Sequence, residues 1–169
     1  MLGKTSLSAL RALLLLAQKG GSELWPPRRI AEELGESPTY MAKVVRHMVK
    51  SRILEAEKGA KGGVRLARRP EEITLLSVVE ACQGTIVGDY CRSTRPSTAY
   101  CSFHIAALEL HAAITGVLGR WTLAGLLERT QAMGAERDGV PCLIRLARVG
   151  GEAKGADAKA HLTRLRGRA

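Results

Sequence analysis

PRRIAEELGESPTYMAKVVRHMVKSRIL, residues 27–54, decides how this chain is read. Ile30, Ala31 and Leu34 form the apolar side of one short helix, which Pro27 is suited to start. Gly35 breaks that helix and allows a sharp turn, because glycine enters left-handed backbone without a steric penalty. Ser37 and Pro38 are a cap and first-position pair for a second helix. Met41, Val44, Val45, Met48 and Val49 recur at helical spacing and give that second helix one buried face. The small Ala31 lets the two helices approach closely, and Ile30, Leu34, Met41 and Val44 tie them together. This is a helix-turn-helix pattern, a spacing that plain helical hairpins share.

The adjoining segment narrows the choice. ILEAEKGAKGGVRLAR, residues 53–68, reads as strand, glycine-rich turn, strand. Ile53, Leu54 and Ala56 lead in, Val64 and Leu66 lead out, and Lys58, Lys61 and Arg65 decorate the hairpin. A basic hairpin directly after a recognition helix is a wing. A phosphate-binding loop is the competing reading of GAKGG, but the GxxxxGK[ST] pattern is missing.

Outward from this centre, Leu7, Leu10, Leu13, Leu14 and Ala17 predict a helix over residues 6–18, ended by Gly20 and Gly21. WPP at 25–27 reads as a turn. EEITLLSVVEACQG, residues 71–84, predicts another helix, with Thr74 as a cap and Gly84 as its stop. GDYCRSTRPSTAY, residues 88–100, is loop-like around Pro96. The longest helix is expected over 101–121. There Phe103, Ala107, Leu110, Ile114, Val117 and Trp121 recur at alternating steps of four and three, an a/d seam. A helix this apolar needs a partner. The same helix of a second copy is expected, and packing within its own subunit is the alternative. Thr122 opens a short capped segment, TLAGLLERT. After PCLIRLARV the hydrophobic content fades, and disorder is expected.

The expected architecture is therefore mainly α with a small β-hairpin wing. It comprises a winged helix-turn-helix DNA-binding domain over 1–84 and a cysteine-containing loop over 85–100. A dimerisation helix with a short following helix spans 101–133, and a basic tail spans 134–169.

Charge follows the same division. Of a net +10, residues 1–70 hold 14 Lys/Arg against 6 Asp/Glu, whereas residues 71–149 hold 7 Arg, no Lys and 8 acids. Residues 150–169 add 5 basic and 2 acidic residues. A positive excess confined to the helix-turn-helix and the tail is the footprint of nucleic-acid binding. An even spread would have solubilised the chain as well. At the N-terminus, Arg11 interrupts the apolar run and leaves Ala12–Ala17, shorter than a signal-peptide core. No stretch is expected to reach transmembrane length, so a buried helix in a cytoplasmic protein with no membrane partner is the reading. Four cysteines (82, 91, 101 and 142) are too few for a disulfide-dense scaffold. No HExxH, CxxC or Ser/His/Asp pattern supports an enzyme.

The order and spacing of these segments resemble the Rrf2 family of winged-helix transcription regulators. The resemblance covers about residues 1–130. It rests on LSALRALLLLA, the helix-turn-helix, the wing EAEKGAKGGVRLAR, the helix ITLLSVVEACQG, and a cysteine-containing loop before a long helix ending in WTLAGLL. The family implies homodimers that bind pseudo-palindromic double-stranded DNA. Many members sense iron–sulfur status, nitric oxide, redox state or cysteine supply.

On that reading the second helix enters the major groove, its N-terminal turn facing the bases. Ser37, Thr39, Tyr40 and Lys43 are expected to be exposed there. Lys43 and Arg46 suit phosphate or guanine. Arg28 and Arg29, at the start of the preceding helix, suit phosphate, and Lys58, Lys61 and Arg65 would grip phosphate or the minor groove.

The resemblance also implies a sensor in the loop. Cys91 and Cys101 match the first and last of three cysteines that cluster-binding members use, and His104 matches a ligand some members add. The middle cysteine is absent from RSTRPSTAY. Other members use acidic or His ligands from the partner's first helix, and the matching LSALRAL has neither. Cys101 and His104 lie one helical turn apart, so both reach one ion. Cys82, His111, Asp89 or a partner residue would be the fourth ligand. Three readings stand: a two-iron (2Fe-2S) cluster, a cluster-free thiol- or small-molecule-responsive repressor, and cysteines that merely pack. A non-specific nucleic-acid-coating protein is the reading from a different class.

Overall fold

The computed structural model of the 169-residue chain describes residues 3–21, 23–59, 61–86 and 102–132. Asp89, Cys91, Cys101, Cys142 and the basic tail lie outside the described residues.

Helix α1 (Lys4–Leu15) is the central element. Ala9, Leu10, Ala12, Leu13, Leu14 and Leu15 are all buried, so the helix is covered on nearly every side. It runs on into a π-helical turn, Leu16–Gly20, and stops at Gly21 with φ 50. Helix α2 (Pro27–Leu34) buries Ile30, Ala31 and Leu34. Gly35 ends it at φ 65, and the next amides close the turn: Gly35 N–H donates to Glu32 O and Glu36 N–H to Ala31 O. Helix α3 (Pro38–Lys50) buries Met41, Val44, Val45 and Met48 against this pair. Each such side chain contributes roughly 1.5–3 kcal/mol. Ser37 stands at the cap position, but its side chain makes no capping hydrogen bond. The fixed φ of Pro38 starts the helix instead.

Strands β1 (Leu54–Glu57) and β2 (Gly63–Leu66) pair antiparallel, with Leu54 opposite Leu66 and Glu57 opposite Gly63. The WPP segment is more than a turn. Trp25 exchanges two backbone hydrogen bonds of 2.9 Å with Val64, and its indole is buried. Gly63 makes this approach possible, because a Cβ there would lie 2.7 Å from the Trp25 carbonyl carbon. A single paired residue between Leu24 and two prolines carries no two-residue alternation, which is why the sequence shows only a turn.

The predicted helix over 71–84 starts late. Pro70–Glu72 is a 3-10 turn, Ile73 is extended and buried, and α4 runs Leu75–Gln83. Thr74 sets the start: its hydroxyl oxygen accepts the Ser77 N–H at 3.1 Å. Helix α5 (Ser102–Arg120) and helix α6 (Leu123–Ala132) complete the described chain. Their junction is tied to the segment before α4, where Leu75 N–H donates to Trp121 O and Leu123 N–H to Ile73 O. Leu123 is buried in the winged-helix core, with Leu126 and Leu127 packed against it. None of the α5 residues is buried. At 19 residues with a mean hydropathy of 1.2, α5 is also long and apolar enough to cross a membrane, contrary to the expectation that no stretch reaches that length.

Candidate nucleic-acid interface

The buried stripe of α3 determines its outward face. Thr39, Ala42, Lys43, Arg46, His47 and Lys50 are exposed at helical spacing, with exposed Ser37 just ahead of them. Four of the six are Lys, Arg or His. None of the four forms an ion pair among the described residues. Sequence reading singled out Thr39, Lys43 and Arg46. It missed Ala42, His47 and Lys50, although they complete the complement of the apolar stripe.

Tyr40 departs from expectation. It is half-buried, its ring packs on the core, and its hydroxyl donates to Thr5 Oγ1 at 3.4 Å. The Lys4 ammonium lies 5.2 Å from its ring centroid. Tyr40 therefore joins α3 to α1 rather than standing free in the N-terminal turn.

The flanking arginines differ in how committed they are. Arg28 is exposed and pairs with Glu32 at 3.0 Å within one helical turn. Such exposed pairs are worth little, so phosphate can displace the carboxylate. Arg29 pairs with Glu23 at 2.6 Å and stacks 3.7 Å from the Trp25 ring. Arg65 sits between Glu55 and Glu57, and its hydrogen bond to Glu55, then the attraction of that charge, raise its pKa. On the wing this leaves Lys58 and Lys61 exposed and without an ion pair among the described residues. A groove of about 520 Å³ separates α3 from the hairpin, with Ala42, Arg46 and Val49 on one side and Lys58 and Gly62 on the other.

Both ends of α3 are held by side chains from elsewhere. At the front, Arg11 and Ser8 of α1 bind Glu36 and the Leu34 carbonyl. At the back, Arg68 donates to the Ser51 and Arg52 carbonyls at 3.2 and 3.1 Å, beside Arg52 with its φ of 55. Free carbonyls at a helix C-terminus are a natural seat for a guanidinium. Arg11 and Glu36 carried no signal in sequence, since one reads as an interruption of an apolar run and the other as a loop charge.

The expected seam on α5 divides. Phe103, Leu110 and Val117, spaced by seven, are 66%, 56% and 47% exposed. Ala107, Ile114 and Trp121 are half-buried on the side nearer the rest of the chain, with Arg129 stacked 4.3 Å from the Trp121 ring. Ile105 and Leu108 are exposed too, outside the expected seam.

Of the expected ligand set, only His104 is described, half-buried near the start of α5. His111 donates Nδ1–H to the Ile86 carbonyl at 3.1 Å. Cys82 is half-buried on α4, where burial pushes its thiol pKa up and a hydrogen bond with Ser6 partly opposes this. No group of three or more His, Cys, Asp or Glu comes together among the described residues. These residues by themselves do not fit a cluster.

Comparison with known proteins bears on the family and the fold. Residues 2–129 match the family model described as Rrf2, iron-dependent transcriptional regulator. The chain is 32% identical over 124 residues to the HTH-type transcriptional regulator NsrR of Geobacillus kaustophilus, covering 71% of this chain and 84% of that protein. Among solved structures, T. potens IscR superposes with a TM-score of 0.63 at 22% identity, covering 81% of this chain and 93% of that one. CymR, the global cysteine regulator of B. subtilis, gives 0.62 at 20% identity, covering 76% and 97%. These likenesses share the helical architecture and the two-stranded wing, and the relatives are regulators rather than enzymes. The chain belongs to the Rrf2 family of transcriptional regulators.

Proposed function

We propose that two copies of this chain bind a pseudo-palindromic site on double-stranded DNA in the cytoplasm. In this reading residues 1–84 contact DNA and α5 joins the copies. The outward face of α3 carries it: Thr39, Lys43, Arg46, His47 and Lys50 stand exposed on a helix whose other side is locked into the core. Thr39 and Lys43 reach base edges, and Arg46, Lys50, Arg28, Lys58 and Lys61 meet phosphate. Ser37 lies beside the first turn and adds a hydroxyl to the backbone contacts. Arg29 and Arg65, engaged with carboxylates, contribute less.

Phe103, Leu110 and Val117 support self-association, because an exposed apolar row of this length stays in water only at a cost. Ala107, Ile114 and Trp121 back that row from the inner side. The family resemblance supports the same pairing, in preference to a membrane, as the destination of α5.

The signal enters at Cys91 and Cys101, both in the stretch of sequence between α4 and α5. The family description as iron-dependent supports iron held there with His104. The missing middle cysteine supports the competing cluster-free thiol sensor.

Two measurements test this. A footprint of the purified protein on duplexes selected from a random pool should show two protected half-sites, whereas uniform coating would leave only non-specific binding. Anaerobically purified protein should carry iron and sulfide in near-equal amounts with visible absorption. Colourless protein with reactive thiols transfers the sensing role to Cys91 and Cys101 alone.

A further inference from the structure

Arg11, Ser8 and Glu36 lie off the exposed face of α3, yet all three meet at the turn that starts it. Arg11 projects from the middle of α1. Its Nη2 donates to the Leu34 carbonyl at 3.0 Å and its Nη1 to Glu36 Oε1 at 3.3 Å. Ser8, buried on α1, donates its hydroxyl to the same carboxylate oxygen at 2.9 Å. One guanidinium thus spans Gly35. It holds the last carbonyl of α2 on one side and, on the other, the residue just before the cap position of α3.

Two backbone hydrogen bonds close the turn, and the Arg11 and Ser8 side chains tie it to α1. A Cβ placed on Gly35 would meet nothing within 4 Å, so this side of the turn is open. The Arg11 Nε is buried without a hydrogen-bond partner among the described residues. A buried N–H left unpaired destabilises the fold, and an apolar residue would continue the buried run of α1 without that penalty. The arrangement favours the placement of the guanidinium fork over the satisfaction of the side chain.

We infer that Arg11, Ser8 and Glu36 are positioning residues that set the pose of the first turn of α3, and with it sequence preference rather than overall DNA affinity. The inference rests on the DNA-binding reading above. Hydrogen bonds to base edges demand distance and angle, whereas long basic side chains follow phosphates through small displacements. A clamp on the base-facing turn therefore acts on the first kind of contact and spares the second.

The test compares the full-length wild type with Glu36→Gln, which keeps the shape and removes the charge, and with Ser8→Ala. Each binds a duplex that the wild type selected from a random pool, and a scrambled duplex, with active protein counted by stoichiometric titration. Glu36→Gln should lower the ratio of selected to scrambled affinity about tenfold and leave the salt dependence on scrambled DNA unchanged. A ratio within twofold of wild type, or equal losses on both duplexes, overturns the inference. Should Glu36→Gln not fold, Ser8→Ala is judged by the same ratio with a smaller expected change, about threefold. A wild type that selects no sequence overturns the DNA-binding reading itself. A wild type that selects one while both variants keep its ratio overturns the clamp alone.

Discussion

Helix α3 hides Met41, Val44, Val45 and Met48 and turns Lys43, Arg46, His47 and Lys50 to solvent. Helix α5 buries none of its residues and turns Phe103, Leu110 and Val117 outward. The first surface is at ease in water and gains by meeting a polyanion. The second is poorly suited to water and gains by meeting another apolar surface. Two helices on one chain thus present opposite complements, as the proposed pairing of two copies on DNA requires. Between them, Leu75, Trp121, Ile73 and Leu123 link the start of α4 to the α5–α6 junction through two backbone hydrogen bonds. A shift of α5 has a short physical route to the core beneath α3.

That contrast can be broken from either side. Leu110→Glu should act most strongly. A charge in the middle of the exposed row is expected to weaken self-association about 100-fold or more, read as monomer by sedimentation at micromolar concentration. An unchanged dimer would place the pairing surface elsewhere. Arg46→Glu should leave the dimer intact and weaken DNA binding about 10–100-fold, with a shallower dependence on salt. Loss of pairing in that variant would blur the division of labour between the two helices.

Smaller changes sharpen the comparison. Lys61→Glu should weaken selected and scrambled duplexes alike, by about tenfold at moderate salt. Arg65→Ala should cost less, about twofold, because Glu55 and Glu57 already occupy that guanidinium. Equal effects in a gel-shift titration would mean that DNA displaces both carboxylates. Tyr40→Phe is expected to be mildest. The tyrosine hydroxyl is directed to Thr5, so base preference should stay within about twofold while the melting temperature falls slightly. A changed preference would return Tyr40 to the base-reading set.

Much of the fold was legible because its signals are local. Pro27, Gly35 and Pro38 punctuate α2 and α3, and the spacing of Ile30, Leu34, Met41 and Val44 reports which faces meet. Thr74 and Thr122 were readable as helix starts, since a hydroxyl that accepts an amide two or three residues on is a short-range device. The candidate site was legible where charge coincides with a helical face, as at Lys43 and Arg46. It was not legible where a partner on another element decides. Tyr40 is polar in sequence but half-buried through Thr5, and Arg65 is basic in sequence but held by two carboxylates across the hairpin.

By itself, then, the sequence determined that two helices join at a glycine turn, that a basic hairpin follows them, and that a long apolar helix comes later. Periodicity, capping and turn chemistry act within a few residues and leave their mark in order. Only the tertiary structure decided that Trp25 pairs with Val64, that Gly63 makes room for it, and that Arg11 reaches from α1 to Glu36. It also divided the α5 seam between an exposed row and a half-buried one. These are contacts between segments 25 or more residues apart, or choices of which helix face finds cover. Such outcomes depend on how all the elements pack at once rather than on any neighbourhood of the chain.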